Sequence, residues 1–85
     1  QVTGKYMNDE YPLIISDPCI LNGKPVIAGT RISVEFVMEL IASGSTIDEI
    51  AAQYPHVPVE GIRQAVLYAA KTTRNEIFIN VKITA

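Results

Sequence analysis

The sequence predicts a mainly α-helical domain. Three helices are expected, the last two joined as a helix-turn-helix, with a short β-hairpin before them and a β-strand after them. Three observations point this way. Thr46 to Tyr68 reads as two helices around a proline-bounded turn. Val34 to Ser43, just before it, is a capped apolar segment with one narrow polar stripe. After Asn75 the apolar period drops to two, with Ile77, Ile79, Val81 and Ile83 alternating with Phe78, Asn80, Lys82 and Thr84.

The chain of 85 residues begins with Gln, and its first methionine is Met7. Residues 1–6 are therefore expected to be upstream or vector-derived, with Met7 the native start. The expected organisation is an N-terminal segment over 1–12, in part disordered, a hairpin plus helix-turn-helix over 13–74, and a C-terminal strand over 75–85. Leu13-Ile14-Ile15 is long enough for one strand, and Asp17-Pro18 breaks it because proline excludes the helical region from its predecessor. Asn22-Gly23 is a turn signal. Pro25-Val26-Ile27 and Thr30-Arg31-Ile32 flank Ala28-Gly29, the pattern of a small hairpin.

Ser33 is a suitable N-cap for a first helix, Val34 to Ser43, with Gly44 as its terminator. Glu35, Glu39 and Ser43 fill one stripe, and apolar side chains cover the remaining arc of roughly 240°. A domain this small is not expected to hide that much apolar surface alone, so a homodimer or a partner complex is expected, with Phe36 and Leu40 in the interface. In the second helix Thr46 and Glu49 form a capping box, and Ile47, Ile50, Ala51 and Tyr54 share one face. Pro55 ends it and Pro58 suits the first turn of the next. The third helix is expected over Val59 to Thr73. Val59, Ile62, Ala65, Val66, Ala69 and Ala70 form its apolar side, opposite Glu60, Arg63, Gln64, Leu67, Tyr68, Lys71 and Arg74. Gly61 weakens the first turn by about 1 kcal/mol, so it is expected to permit close approach of a neighbouring helix or of a phosphate. The strand over Ile77, Ile79, Val81 and Ile83 must pair with Leu13–Ile15, with its counterpart in a second subunit, or with another protein.

Composition narrows the function classes. The net charge of −2 argues against an indiscriminate polyanion binder. Charge is nevertheless uneven: residues 33–54 hold Glu35, Glu39, Asp48 and Glu49 and no cation, whereas Arg63, Lys71 and Arg74 face Glu60 alone in the third helix. The single Cys19 cannot form an intramolecular disulfide, fits a reducing cytoplasm, and is expected to be a small buried apolar residue. No apolar run reaches the roughly 20 residues that span a bilayer. His56 stands between prolines without a second His or a neighbouring Cys, so no metal site is expected. No nucleophile–base set, carboxylate pair or phosphate loop is recognisable, and neither enzymatic activity nor a cofactor is expected.

Arg63, Gln64, Lys71 and Arg74 are the candidate DNA-contacting residues. Arg can bond guanine, Gln adenine, and further cations phosphate. The alternative is the solvated face of an amphipathic helix, and Glu60 counts against DNA. Leu67 and Tyr68 on the same arc are candidates for a dimer or partner interface, together with Ile77, Ile79, Val81 and Ile83. Lys24 and Arg31 are expected to pair with Asp17 or Glu35, or to clamp phosphate.

Ile15-Ser16-Asp17-Pro18, the run Asn22-Gly23-Lys24-Pro25-Val26-Ile27-Ala28-Gly29-Thr30-Arg31-Ile32, and then Thr46-Ile47-Asp48-Glu49-Ile50 with Tyr54-Pro55 resemble the family called domain of unknown function 433 (DUF433). The resemblance covers about Ile14 to Ala70, and the G-K-P…G-T-R-I run is its specific part. It implies a homeodomain-like helix-turn-helix, usually dimeric. Some members of the family look like VapB-like antitoxins, encoded beside a PIN-like ribonuclease toxin that they bind and silence; binding of operator DNA through the helix-turn-helix is the expectation for this chain. It offers no catalytic residues. The chain departs from the pattern at Ser33, often Pro in the family, and at Gly61, often acidic or polar. The expected function is thus a small dimeric antitoxin of a toxin-antitoxin system that regulates its own transcription. The alternative is a protein-interaction module that keeps the fold without reading DNA.

Overall fold

Three short segments, two of them β-branched, open the domain, and the computed structural model, which describes residues 6–7 and 10–84 with side chains over 10–73, pairs them into one sheet. Tyr6–Met7 (β1), Ile14–Ser16 (β2) and Val26–Ile27 (β3) lie antiparallel in the order β1-β2-β3. Ile15 stands opposite Met7 on one side and Val26 on the other, and Ile14 opposite Ile27.

Between β2 and β3 the Asp17 carboxylate accepts the Cys19 N–H at 2.9 Å. Leu21, Asn22 and Gly23 follow with φ of 51°, 59° and 85°. Asn and Gly suit that region, whereas Leu carries a strain of about 1–2 kcal/mol there. After β3 the expected hairpin closes tightly. The Ile27 N–H donates to the Ile32 carbonyl at 2.9 Å, and the Thr30 hydroxyl donates to the Ile27 carbonyl while accepting the Ile32 N–H.

Val34–Ala42 (α1) starts where the Ser33 hydroxyl accepts the Phe36 N–H at 2.9 Å. It ends in a Schellman motif, with Gly44 at φ 106° donating to Ile41 and Ser45 donating to Leu40. Ile47–Gln53 (α2) carries the full capping box, Glu49 N–H to the Thr46 hydroxyl at 3.0 Å and Thr46 N–H to the Glu49 carboxylate at 2.8 Å. Val59–Thr84 (α3) packs on both earlier helices and on the sheet. The core is Ile14, Ile27, Val37, Ile50, Ile62 and Ala65, almost fully buried where the three layers meet.

The strand expected over 75–85 is helical instead, as α3 runs to Thr84. No Gly or Pro follows Gly61 to stop it, and each added residue of an established helix brings one hydrogen bond. Of the three partners expected for that strand, the one within this chain is also taken, because β2 is already central between β1 and β3. The wide apolar arc of α1 is better covered than expected. Val34 and Val37 are buried, and Phe36, Met38, Leu40 and Ile41 are half-buried by their own chain, with the Phe36 ring edge-on to Tyr54 at 6.0 Å. Cys19, expected inside, is exposed, because the turn after Pro18 carries it outward. Among the described residues, no helix is long and apolar enough to cross a membrane.

Candidate interaction face on the third helix

The buried stripe of α3 is not the one periodicity suggests. Gly61, Ile62, Gln64, Ala65 and Ala69 face inward, whereas Val59 and Ala70 are exposed. The stripe is turned by roughly a quarter of the helix circumference from the apolar side chains alone, at about 100° per residue. Gly61 is the cause. It presents no side chain, so Ile27 of β3 nests against its backbone; a Cβ there would come 2.7 Å from Ile27 Cγ2. Seating β3 at Gly61 draws Gln64, one turn on, into the interior.

Gln64 is thereby buried, and its amide is committed at both ends. Its oxygen accepts the Leu13 N–H at 2.9 Å, and its nitrogen donates to Glu60 Oε2 at 3.0 Å. Residues 10–13 run along this side of α3. Tyr11 meets Tyr68 edge-to-face at 6.0 Å. Lys71 bonds the Glu10 carboxylate and lies over the Tyr11 ring. Of Gln64, Tyr68 and Lys71, which form part of one arc by spacing, the first two are therefore covered by the N-terminal segment, and Lys71, though exposed, is engaged by it.

The outward face carries Val59, Glu60, Arg63 and Leu67. Arg63 is held by Glu60 through two bonds, Nε to Oε1 at 2.9 Å and Nη2 to Oε2 at 2.8 Å. The Arg63 and Gln64 hydrogen bonds, with the Arg63 charge behind them, hold the Glu60 carboxyl down at about 2, and the same pair raises the Arg63 guanidinium. Both groups are exposed, so the pair orients Arg63 more than it stabilises the fold. Val59 and Leu67 are the large apolar residues exposed among the described ones. They stand two turns apart on either side of Arg63. The Arg74, Ile77, Ile79, Val81 and Ile83 side chains lie outside the described residues.

Elsewhere Lys24 pairs with Glu35 at 2.9 Å, one of the two partners expected for it. A shallow open groove separates the hairpin turn from the α2–α3 turn, lined by Ile20, Gly29, Thr30, Arg31, Ile32 and His56. Among the described residues no three His, Cys, Asp or Glu side chains come together as a metal site.

These features define a class: a small helix-turn-helix domain whose third helix is docked on a three-stranded sheet. Residues 14–69 match the family described as "Protein of unknown function (DUF433)", and the chain belongs to it. It is 37% identical over 57 residues to "Uncharacterized protein y4eO" of Sinorhizobium fredii (strain NBRC 101917 / NGR234), a match that covers 67% of this chain and 26% of that protein. The chain thus spans about a quarter of that relative's length. No solved structure matches it.

Proposed function

We propose that this domain is a cytoplasmic, antitoxin-type interaction module that acts as a homodimer and captures a PIN-like ribonuclease, using α3 for protein contact rather than for base reading. The reading rests on the family resemblance for the partner and on α3 for the mode. The observation that carries the mode is the state of the side chains suited to DNA. Gln64 is buried and bonded to Leu13 and Glu60, Arg63 is bidentate to Glu60, and Lys71 is held at Glu10. A base-reading helix needs those donors free toward the groove. What α3 offers instead is a cation flanked by Val59 and Leu67, the mixture of an apolar anchor and a charged centre that suits a protein surface.

The test is the ribonuclease encoded beside this chain's gene, purified and assayed on RNA with and without the domain. Suppression of cleavage at equimolar domain supports the reading. Full cleavage in its presence, or no such reading frame, removes it.

A second reading, operator binding, draws on the exposure of Arg63 and Lys71 and on linkage of two modest contacts in a dimer. It expects salt-sensitive retardation of an inverted repeat from the promoter, abolished in R63A/K71A. Absence of retardation at low salt, with or without the nuclease, rules it out.

A further inference from the structure

Each lysine and arginine described on this domain, with one exception, already has a carboxylate: Lys24 has Glu35, Arg63 has Glu60, and Lys71 has Glu10. The exception, among the described residues, is Arg31. Its side chain is exposed and lines the groove between the hairpin turn and the α2–α3 turn. His56 lines the same groove from the other turn and is likewise exposed. Two groups that can donate to an anion therefore flank one depression, and among the described residues no acidic side chain lines it.

The rest of the lining is apolar or self-satisfied. Ile20 and Ile32 supply the apolar wall. The Thr30 hydroxyl is used internally, donating to Ile27 and accepting from Ile32. Gly29, at φ 78°, holds the turn open without a side chain in the groove. The groove is thus built of one unpaired guanidinium, one imidazole and aliphatic walls.

We infer that the Arg31–His56 groove is a peptide-binding site, and that its occupant is a protein segment carrying a carboxylate beside an aliphatic side chain. The guanidinium presents a planar fork that a carboxylate meets with two parallel bonds. The aliphatic neighbour would cover Ile20 and Ile32. The walls distinguish this occupant from nucleic-acid phosphate. A phosphate gains nothing from burying isoleucine, whereas an aliphatic side chain beside the carboxylate does. The inference locates a second contact for the partner proposed above, away from α3, but the groove's chemistry does not depend on who that partner is.

The experiment is a backbone-amide NMR titration of the full chain with two peptides, acetyl-Leu-Asp-Leu-Glu-amide and its uncharged counterpart acetyl-Leu-Asn-Leu-Gln-amide. Saturable shifts are expected at Gly29, Thr30, Ile32 and His56 with the acidic peptide, weaker by at least about tenfold with the amide peptide or with R31Q. R31M, which keeps the aliphatic stem, and H56Q serve as further variants, each checked for an unchanged fold by circular dichroism. Shifts that arise elsewhere, or that R31Q and R31M leave intact, overturn the inference. So does an oligothymidylate that moves the same amides at lower concentration than the peptide, which would make the groove a phosphate site. Nuclease capture separates the two readings. Unchanged inhibition by R31Q sinks the groove as a partner contact while leaving the α3 reading standing. A wild-type chain that fails to inhibit sinks the α3 reading while the peptide titration still stands or falls alone.

Discussion

Gly61 of α3 lies so close to Ile27 of β3 that a Cβ on the glycine would come 2.7 Å from Ile27 Cγ2. Ile27 is fully buried, and its Cγ2 sits on the stiff branch at Cβ, so it cannot swing aside. Helix propensity alone would make Gly61→Ala stabilising by about 1 kcal/mol. The contact reverses the sign. G61A is expected to destabilise the domain by about 1–3 kcal/mol, read as a shift in the urea midpoint. In an I27A background, where the obstructing methyl is gone, the same change should cost much less. Equal costs in both backgrounds would show that the contact is not what requires glycine.

Gln64 ties the N-terminal segment to α3 through the Leu13 N–H. Gln64→Leu keeps the bulk but leaves that N–H without its acceptor, and is expected to cost about 1–3 kcal/mol. The local signature is faster hydrogen exchange at the Leu13 amide than in the parent chain. Unchanged protection there would mean another group bonds Leu13.

Glu60 has its carboxyl lowered from 4.5 to about 2 by Arg63 and Gln64. A depressed carboxylate stabilises the fold above its unfolded pKa, and that contribution is lost as pH falls through the folded value. Stability should therefore decline between about pH 4.5 and about pH 2, and Glu60→Gln should flatten that part of the acid limb. The direct measurement is an NMR titration of the Glu60 side chain. A midpoint at the ordinary carboxylate value would mean that the bonds to Arg63 and Gln64 do not persist in solution.

Thr46 and Glu49 exchange both bonds of a capping box at the start of α2. Thr46→Ala should cost about 1 kcal/mol, seen in the thermal midpoint, and Thr46→Ser much less. Gly44, at φ 106°, lies where L side chains are strained. Gly44→Ala should therefore lower stability by about 1 kcal/mol although nothing stands within reach of the new methyl. A neutral G44A would imply that the Schellman turn relaxes.

Local rules make much of this fold legible in the sequence alone. Ser33, Thr46 with Glu49, Pro55 and Gly44 are start and stop signals that act within one or two turns of chain. α1 and α2 start and end where those residues place them, and α3 starts just after Pro58, the residue suited to its first turn. The G-K-P…G-T-R-I run was equally visible, and it marks the family that residues 14–69 match.

The candidate site was less legible, because its composition depends on what packs against α3. On a helical wheel Gln64, Tyr68 and Lys71 belong with Arg63. Residues 10–13, more than fifty positions away in the chain, take the first three and leave the last. The strand pattern after Asn75 misled for a related reason. Period-two alternation says which face a strand would bury, but not whether a sheet edge is open to receive it, and β2 had none.

What the sequence by itself determined, then, is where each helix begins and which hairpin precedes them, since capping and turn chemistry are short-range and need no partner. Which side of α3 faces water was decided only by the tertiary structure. The absence of a side chain at Gly61 let Ile27 in and rotated the helix about its axis, and no local rule reports the position of a residue thirty-four places upstream.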